Sequence, residues 1–316
     1  MFTRWPFRLV LIAALISCAP EPVSSGPAPR TWAYVIPASL RAGDPAGRLP
    51  GYDVLCYGVY RLNGVGKIAT RPAFPAVLRE ARKGRKLYAL IALSGRASGV
   101  RMLASPASRA RAVQELARLA KAHSFDGLHI DFEGPDGSSL QAYTEFLRAL
   151  RAAQAMRGRV LSIAVFPALH RHAREVAFHD LSVLGPLVDQ VVIMTYDHHL
   201  ETPGPVTDLD WAERNVKIAL EHVRPERIWL GVPAYGYEWK TSGHKGRPAV
   251  ITESRGSSLC GRHGCRRHPS GMLRLERAGR VAFIPDGEFY RSMRGIARRH
   301  GLCGTALWRI GFEIAP

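Results

Sequence analysis

A (β/α)8 barrel is the fold class that the sequence predicts, because short apolar segments alternate with helix-like segments along most of its 316 residues. Eight segments have the length and composition of strands: 32–37, 54–60, 86–94, 125–133, 160–166, 188–196, 228–233 and 304–310. A doubly wound open sheet is the alternative, but no glycine-rich phosphate loop follows the first strand.

Helix signals lie between these strands. Ser105 and Pro106 are typical of an N-cap and a first helical position, and apolar residues then recur at helical spacing up to the fourth strand. Residues 140–156 place apolar side chains on one face, and residues 211–223 and 289–300 are predicted as further helices. Each of these predicted helices precedes a predicted strand, as a barrel requires.

One region interrupts the alternation. Residues 240–286 are rich in glycine, arginine, histidine and serine, and contain only short strand-like pieces. An insertion between strands seven and eight would rise above the C-terminal face of a barrel, where it could form a wall of a substrate cleft.

The fourth strand contains FDGLHIDFE, in which three ionisable residues alternate with apolar ones. Side chains two residues apart share a face of a strand, so His129, Asp131 and Glu133 should lie together. Burying two carboxylates as anions is unfavourable, and one should therefore hold a proton and could act as a general acid. The alternative is the solvated face of an edge strand, but the flanking residues are typical of a buried parallel strand.

Polar and aromatic residues also lie at the ends of other predicted strands. They are Tyr196, Asp197, His198 and His199 after strand six, Tyr235, Tyr237 and Trp239 after strand seven, Trp308 in strand eight and Tyr34 in strand one. Carboxylates surrounded by aromatic rings suit a carbohydrate, whose ring faces stack while its hydroxyls form hydrogen bonds. Taken singly, Trp308 or Tyr235 could equally belong to the core.

These motifs resemble glycoside hydrolase family 18. The segment DGLHIDFE is similar to the strand-four signature DGxDxDxE, MTYD at 194–197 matches the strand-six motif, and Trp308 matches the strand-eight tryptophan. The resemblance covers nearly all of residues 31–316. DHHLETPGPVTDLDW followed by GVPAYGYEW most resembles the bacterial spore-cortex, LysM-associated branch, whose members are N-acetylglucosaminidases acting on peptidoglycan.

The resemblance implies a role for each matching residue. Glu133 would protonate the leaving glycosidic oxygen, and the substrate's own acetamido group would attack the anomeric carbon, with retention of configuration. Asp131 would orient that acetamido group, and Tyr196 would hydrogen-bond its oxygen. Trp308 would form the floor under the sugar, and Asp197 would bond its hydroxyls.

The remaining predicted substrate-binding residues are Tyr235, Trp239, Tyr34 and His129, and no metal or cofactor is expected. His129 stands where the family usually has Asp. It could hydrogen-bond Asp131, and as a cation it would lower the carboxyl pKa values and shift the pH optimum. Ser94-Gly95-Arg96 also departs from the usual SxGG of the third strand.

The N-terminus is typical of a targeting segment. Two arginines precede the apolar run 9–16, which is too short to anchor the chain across a bilayer, and LISC ends at Cys18. We expect residues 1–18 to be a lipoprotein signal with Cys18 acylated, although an ordinary secretory signal is the alternative. The Pro- and Ser-rich residues 19–30 would form a tether, and 31–316 the barrel.

The other cysteines suit an oxidising compartment. Cys260 and Cys265 flank a short loop and are predicted to pair. Nearby His263 and His268 permit a zinc site instead, although the spacing matches no standard pattern. Cys56 and Cys303 lie in apolar stretches and are expected to be buried free thiols.

The formal net charge is +18, but basic residues are dispersed and no nucleic-acid motif is present, so no nucleic-acid partner is expected. The sequence favours a monomeric hydrolase of β-linked N-acetylglucosamine polymers, lipid-anchored in a bacterial cell envelope, with peptidoglycan preferred over chitin. The alternatives are a non-catalytic glycan-binding protein on the same barrel, or an envelope protein that uses the barrel as a docking surface.

Overall fold

The structure, a computed structural model, describes residues 28–41, 45–170, 172–242 and 246–312. Its centre is a closed barrel of eight parallel strands surrounded by helices, as predicted. The segment expected to be a signal, most of the expected tether, and Cys18 lie outside the described residues. Within the described ranges, no helix combines the length and the hydropathy needed to cross a membrane.

The chain contains fourteen strands in the described ranges. They are β1 (Arg30–Val35), β2 (Val54–Leu62), β3 (Ile68–Thr70), β4 (Lys86–Leu93), β5 (Gly127–Asp131), β6 (Val160–Val165), β7 (Gln190–Ile193), β8 (Ile228–Pro233), β9 (Tyr235–Lys240), β10 (Ala249–Thr252), β11 (Arg266–Arg267), β12 (Leu273–Arg277), β13 (Arg280–Ile284) and β14 (Gly304–Trp308).

The helices of the same ranges are α1 (Pro45–Arg48), α2 (Ala76–Ala81), α3 (Arg96–Ala104), α4 (Pro106–Ala122), α5 (Leu140–Ala152), α6 (Ala173–Phe178), α7 (Leu181–Leu184), α8 (Leu209–Leu220), α9 (Glu253–His263) and α10 (Gly287–Arg299). Ser105 caps α4 as predicted, its side chain accepting from the Ser108 amide at 3.2 Å.

The barrel closes because β1 pairs with both β14 and β2. Around the barrel the order is β1, β14, β8, β7, β6, β5, β4 and β2, all paired in parallel, and β3 adds to β2 as an antiparallel edge. Successive side chains of each barrel strand point to opposite faces and so belong to two different cores. One lies inside the barrel and contains Trp32, Tyr88 and Trp229, and the other lies between strands and helices.

Strand β5 follows the alternation predicted from its sequence. Leu128, Ile130 and Phe132 belong to the core under the helices, while the His129 ring lies against Trp32 of the interior. The regular strand is shorter than predicted, however, and Glu133 lies two residues beyond its end. Glu133 is therefore at the C-terminal mouth of the barrel.

The insertion is a small antiparallel sheet with strand order β10-β9-β13-β12-β11, plus α9. It begins with β9 at Tyr235, so the predicted start at 240 is corrected. The sequence GYEWK in β9 resembles a continuation of strand seven, but β9 pairs with β10 and β13 and belongs to the insertion sheet.

The cysteines are arranged largely as expected. Cys260 and Cys265 form a disulfide with Cα atoms 5.1 Å apart, so neither thiol is available for the alternative zinc site. Cys56 is a buried free thiol inside the barrel. Cys303 is also free but is only partly buried, which corrects the expectation for that residue.

Candidate active site

Asp131 and Glu133 are carried to the barrel mouth by β5. Burial raises the pKa of Asp131, opposed by the positive charge of Arg61. The Glu133 side chain is exposed at the mouth, but its carboxyl group is set among other protein groups, and this burial, followed by the charges of Asp131, Asp197 and Glu175, raises its pKa further. The pair therefore holds a proton near neutral pH, and Glu133 is the group that carries it.

Asp131 has an unsatisfied acceptor. Its Oδ1 atom is buried and has no hydrogen-bond partner among the described residues. A buried acceptor without a donor is unfavourable, and such atoms are rare in folded proteins. The atom is thus prepared for a donor that arrives from outside the chain.

Tyr196 completes the carboxyl centre from the end of β7. Its ring is almost fully buried, and burial together with Asp131, Glu133 and Asp197 raises its pKa, so its hydroxyl remains protonated. Strand β8 gives this ring room because it carries glycine at 231. A Cβ atom at Gly231 would lie 2.4 Å from the Ile193 carbonyl oxygen and 3.0 Å from the Tyr196 ring.

Asp197 directly follows Tyr196 after β7, and its backbone has a positive φ of 58°. Its Oδ1 accepts a hydrogen bond from the Tyr235 hydroxyl at 2.5 Å and another from the Tyr237 hydroxyl. These two tyrosines come from β9, so the insertion holds Asp197 in place. Tyr237 was not predicted to bind the substrate, although the sequence placed it at a strand end.

Trp308 lies at the end of β14 and is partly exposed. It borders a depression of about 230 Å3 together with Asp197, Tyr235, Tyr237 and Arg247. From below, the Tyr34 ring supports the indole edge-on, with ring centroids 5.0 Å apart. A flat ring beside hydrogen-bonding groups can take the face of a sugar.

His129 is buried beneath the mouth, which corrects its assignment as a substrate-binding residue. It is fully buried, with Nε2 at 2.8 Å from the Tyr34 hydroxyl and Nδ1 at 2.5 Å from the Ser162 hydroxyl. Burial lowers the pKa of His129 to about 3, so the ring is neutral rather than the cation considered above. Its link to the mouth is indirect, because the Tyr34 ring that it hydrogen-bonds packs against Trp308.

Two aromatic assignments are corrected for a similar reason. Tyr34 is 2% exposed and its hydroxyl is used by His129, so it supports Trp308 from below instead of reaching the cleft. Trp239 is fully buried, and its indole N–H donates to the Gly204 carbonyl at 2.9 Å. Tyr235, Tyr237 and Trp239 share one face of β9. The two tyrosine hydroxyls reach Asp197, whereas the Trp239 indole is packed inside the protein and bonds the Gly204 carbonyl.

Three further residues shape the centre and were missed. Arg61 and Glu175 act on the carboxyl pKa values from β2 and α6. His179 Nε2 donates to the Phe132 carbonyl at 3.0 Å, and its Nδ1 accepts from the Phe166 amide at 3.0 Å. The His179 ring thereby links the ends of β5 and β6 beside Glu133. No local motif marks these residues, because only the closed barrel brings them near.

The SxGG departure falls at the start of α3. Gly95 has a positive φ of 118°, and the Cβ of Arg96 lies 3.1 Å from the position that a Cβ would take at Gly134. Arg96 pairs with Asp136 at 3.1 Å. The arginine thus lies beside the turn that follows Glu133.

Comparison with known proteins identifies the family. A family model described as glycosyl hydrolases family 18 matches residues 31–312. The cortical fragment-lytic enzyme of Bacillus subtilis is 28% identical over 225 residues, covering 64% of this chain and 50% of that protein. The putative sporulation-specific glycosylase YdhD of Bacillus subtilis is 32% identical over 140 residues, covering 44% and 33%. The chain thus spans half or less of the length of these curated relatives.

Solved structures confirm the fold. The spore cortex-lytic enzyme SleL of Bacillus cereus superposes with a TM-score of 0.81 at 19% identity, covering 91% of this chain and 72% of that one. A class V chitinase of Pseudomonas fluorescens gives a TM-score of 0.78 at 21% identity, covering 91% and 97%. The match of the family model to nearly the whole barrel shows that the chain belongs to glycosyl hydrolase family 18.

Proposed function

We propose that the protein is a retaining glycosidase that cleaves β-linked N-acetylglucosamine glycans, with the substrate's acetamido group as nucleophile. The observation that carries the proposal is the buried Oδ1 atom of Asp131, which lies close to the protonated Glu133 and has no hydrogen-bond partner among the described residues. An acetamido N–H would satisfy Asp131. The carboxylate would then stabilise the positive charge that develops as the acetamido oxygen closes on the anomeric carbon.

Glu133 supplies the proton in this scheme. Its raised pKa keeps it protonated near neutral pH, so that it can protonate the leaving glycosidic oxygen. Once ionised, it accepts a proton from the water that opens the cyclised intermediate at the anomeric carbon. The Tyr196 hydroxyl donates to the acetamido oxygen, while Asp197 and Trp308 hold the hydroxyls and the face of the sugar.

Peptidoglycan is the favoured polymer, and chitin is the second choice. The segments after β7 and β8 resemble the spore-cortex branch, and the relatives include proteins named cortical fragment-lytic enzymes as well as chitinases. The net charge of +18 also suits an anionic wall. We propose a location in the bacterial cell envelope through acylated Cys18, which mass spectrometry of the mature protein would test by its acyl mass.

The decisive assay compares the protein with Glu133→Gln on peptidoglycan, chitin oligomers and a glycoprotein glycan. We expect the substitution to lower kcat by about 100-fold or more, because the amide cannot donate the proton. Equal, background release of reducing ends by both proteins from all three substrates would refute the glycosidase. Binding without turnover would instead support the non-catalytic glycan-binding protein.

A second substrate pair tests the nucleophile. Chitin oligomers and their de-N-acetylated counterparts differ only in the acetamido group, so only the acetylated oligomer should be cleaved. The first product formed should keep the β configuration by NMR. Turnover of the de-N-acetylated oligomer at a comparable rate would exclude the substrate-assisted step.

A further inference from the structure

An arginine-lined depression lies on the face of the barrel opposite the catalytic mouth. Four arginines border it, together with Asp189, and it encloses about 730 Å3. They are Arg148 and Arg151 from the end of α5, and Arg224 and Arg227 from the segment before β8. We call this depression the basal arginine pocket, because segments that precede barrel strands form its walls.

The pocket carries a surplus of positive charge. Arg151 pairs with Asp189 at 2.7 Å, but the same Asp189 oxygen also accepts the Leu161 amide at 2.7 Å. Arg224 pairs with Glu226 at 3.2 Å, and both side chains are exposed. Arg148 is exposed and has no acidic partner in the part of the chain that the structure describes. Two of the four arginines thus have a carboxylate partner, and of the two carboxylates Asp189 is the one that lines the pocket.

Arg227 is positioned without being neutralised. Its guanidinium donates to the carbonyl oxygens of Gly185, Val188 and Asp189, at 2.8 Å to Gly185 and 3.2 Å to Asp189. Carbonyl groups fix the orientation of the fork but carry no net charge. These bonds use the Nε hydrogen and both hydrogens of one terminal nitrogen, so Arg227 offers an anion its charge and its other terminal nitrogen. The exposed guanidinium groups of Arg148 and Arg224 are the ones suited to paired hydrogen bonds with phosphate oxygens.

The N-terminal end of the described chain leaves the barrel beside this pocket. The Arg30 amide at the start of β1 donates to the Cys303 carbonyl at 3.0 Å, and the Cys303 amide donates to the Pro225 carbonyl at 3.2 Å. Pro225 lies between the pocket residues Arg224 and Arg227. Residues 19–29 span roughly 40 Å at most when extended, so an anchored Cys18 would keep this face near a bilayer.

We propose that the basal arginine pocket docks onto a membrane surface by binding the phosphates of anionic phospholipids. A single acyl chain holds a protein only marginally, and basic residues near an anionic surface supply the second signal that stable attachment needs. Docking through this face points the catalytic mouth away from the bilayer. The proposal does not depend on the glycosidase activity, since the pocket shares no residue with the mouth.

Vesicle binding by the full chain carrying Cys18→Ser, which removes the acylation site, tests the pocket. The test variant adds Arg148→Gln and Arg224→Gln, and the matched control adds Arg262→Gln and Arg294→Gln, two exposed arginines of α9 and α10. Vesicles contain phosphatidylcholine alone or with phosphatidylglycerol. Far-UV circular dichroism melts verify that all variants fold.

We expect the test variant to bind the anionic vesicles about 25-fold more weakly, at about fivefold per arginine, and the control to lose little. High salt should remove the difference, because it screens both charges. Equal losses in the two variants would overturn the proposal in favour of a general charge effect. Failure of the parent chain to bind anionic vesicles would also overturn the proposal, and weaker retention of the test variant than of the control on peptidoglycan sacculi would then identify a wall-binding surface instead.

Discussion

Asp131 and Glu133 form a coupled pair in which the charge of one sets the proton affinity of the other. Burial is the largest cause of both raised pKa values, and Asp131 is the next cause for Glu133. A general acid works while it is protonated, so activity should fall as pH rises through the raised pKa of Glu133. The alkaline limb of the pH profile therefore reports on this pair.

The substitution Asp131→Asn should move that alkaline limb to lower pH. Removing a negative neighbour lowers the pKa of Glu133, so the acid loses its proton earlier as pH rises. The residual activity should also fall by about 100-fold or more, because an amide cannot stabilise the developing positive charge. The measurement is kcat/KM against pH, and a limb at the wild-type position would show that Asp131 does not influence Glu133.

His129→Asp should move the same limb in the opposite direction. The wild-type ring is neutral, and the substitution would add a carboxyl group on the face of β5 that carries Asp131. Ionisation of this third acid at high pH raises the pKa of Glu133. His129→Gln is the control, since it adds no titrating group and should leave the limb in place. An identical profile for both variants would mean that position 129 is not coupled to the pair.

At the scale of elements, close strand packing positions Tyr196. Strands β7 and β8 approach so closely that the Gly231 position has no room for a side chain, and the Tyr196 ring occupies the adjacent space. The insertion contributes to the same mouth, since the Tyr235 and Tyr237 hydroxyls of β9 hold Asp197 in place. The mouth is therefore built by the barrel and the insertion together.

Gly231→Ala should reduce activity more than it reduces stability. The added methyl group would meet the Ile193 carbonyl oxygen and displace the Tyr196 ring, and a displacement of about 1 Å can lower a rate by about 100-fold. Overpacking should lower the free energy of unfolding by about 1–3 kcal/mol. Gly261→Ala in α9 is the control, because a Cβ there meets nothing within 4 Å. Equal kcat for the two variants would argue against this packing role.

At the scale of the whole molecule, burying neutral histidines makes the fold sensitive to acid. The folded pKa of His129 is about 3 against an ordinary value of 6.5, and that of His179 is about 4. As pH falls, the two histidines are therefore protonated in the unfolded chain before they are protonated in the folded one, and the free energy of unfolding declines below pH 6.5. The raised carboxyl pKa values act with the opposite sign, so single substitutions are needed to separate the two effects.

His129→Gln should weaken the acid dependence of stability. Between pH 6 and 4, the variant takes up about one proton fewer than the wild type on unfolding. The slope of its free energy of unfolding against pH should therefore differ from that of the wild type by about 1.4 kcal/mol per pH unit. Glutamine can still bond the Tyr34 and Ser162 hydroxyls. The measurement is urea unfolding across this pH range, and parallel slopes would show that His129 is not held neutral in the folded protein.

Sequence alone determined the barrel, the placement of its strands and the carboxyl pair, because local signals specify them. Strand alternation put His129, Asp131 and Glu133 on one face, and strand ends marked Tyr196 and Asp197. The family followed from the same motifs. These features depend on neighbours that are close in the chain, which is why they could be predicted.

The tertiary structure alone decided which side chains reach the mouth. Tyr34, His129 and Trp239 have the chemistry of binding residues, but the interior and the insertion bury all three. Arg61, Glu175 and His179 act on the centre from other elements without any sequence signal. Burial and charge at the mouth depend on contacts between distant segments, and those contacts exist only once the barrel closes.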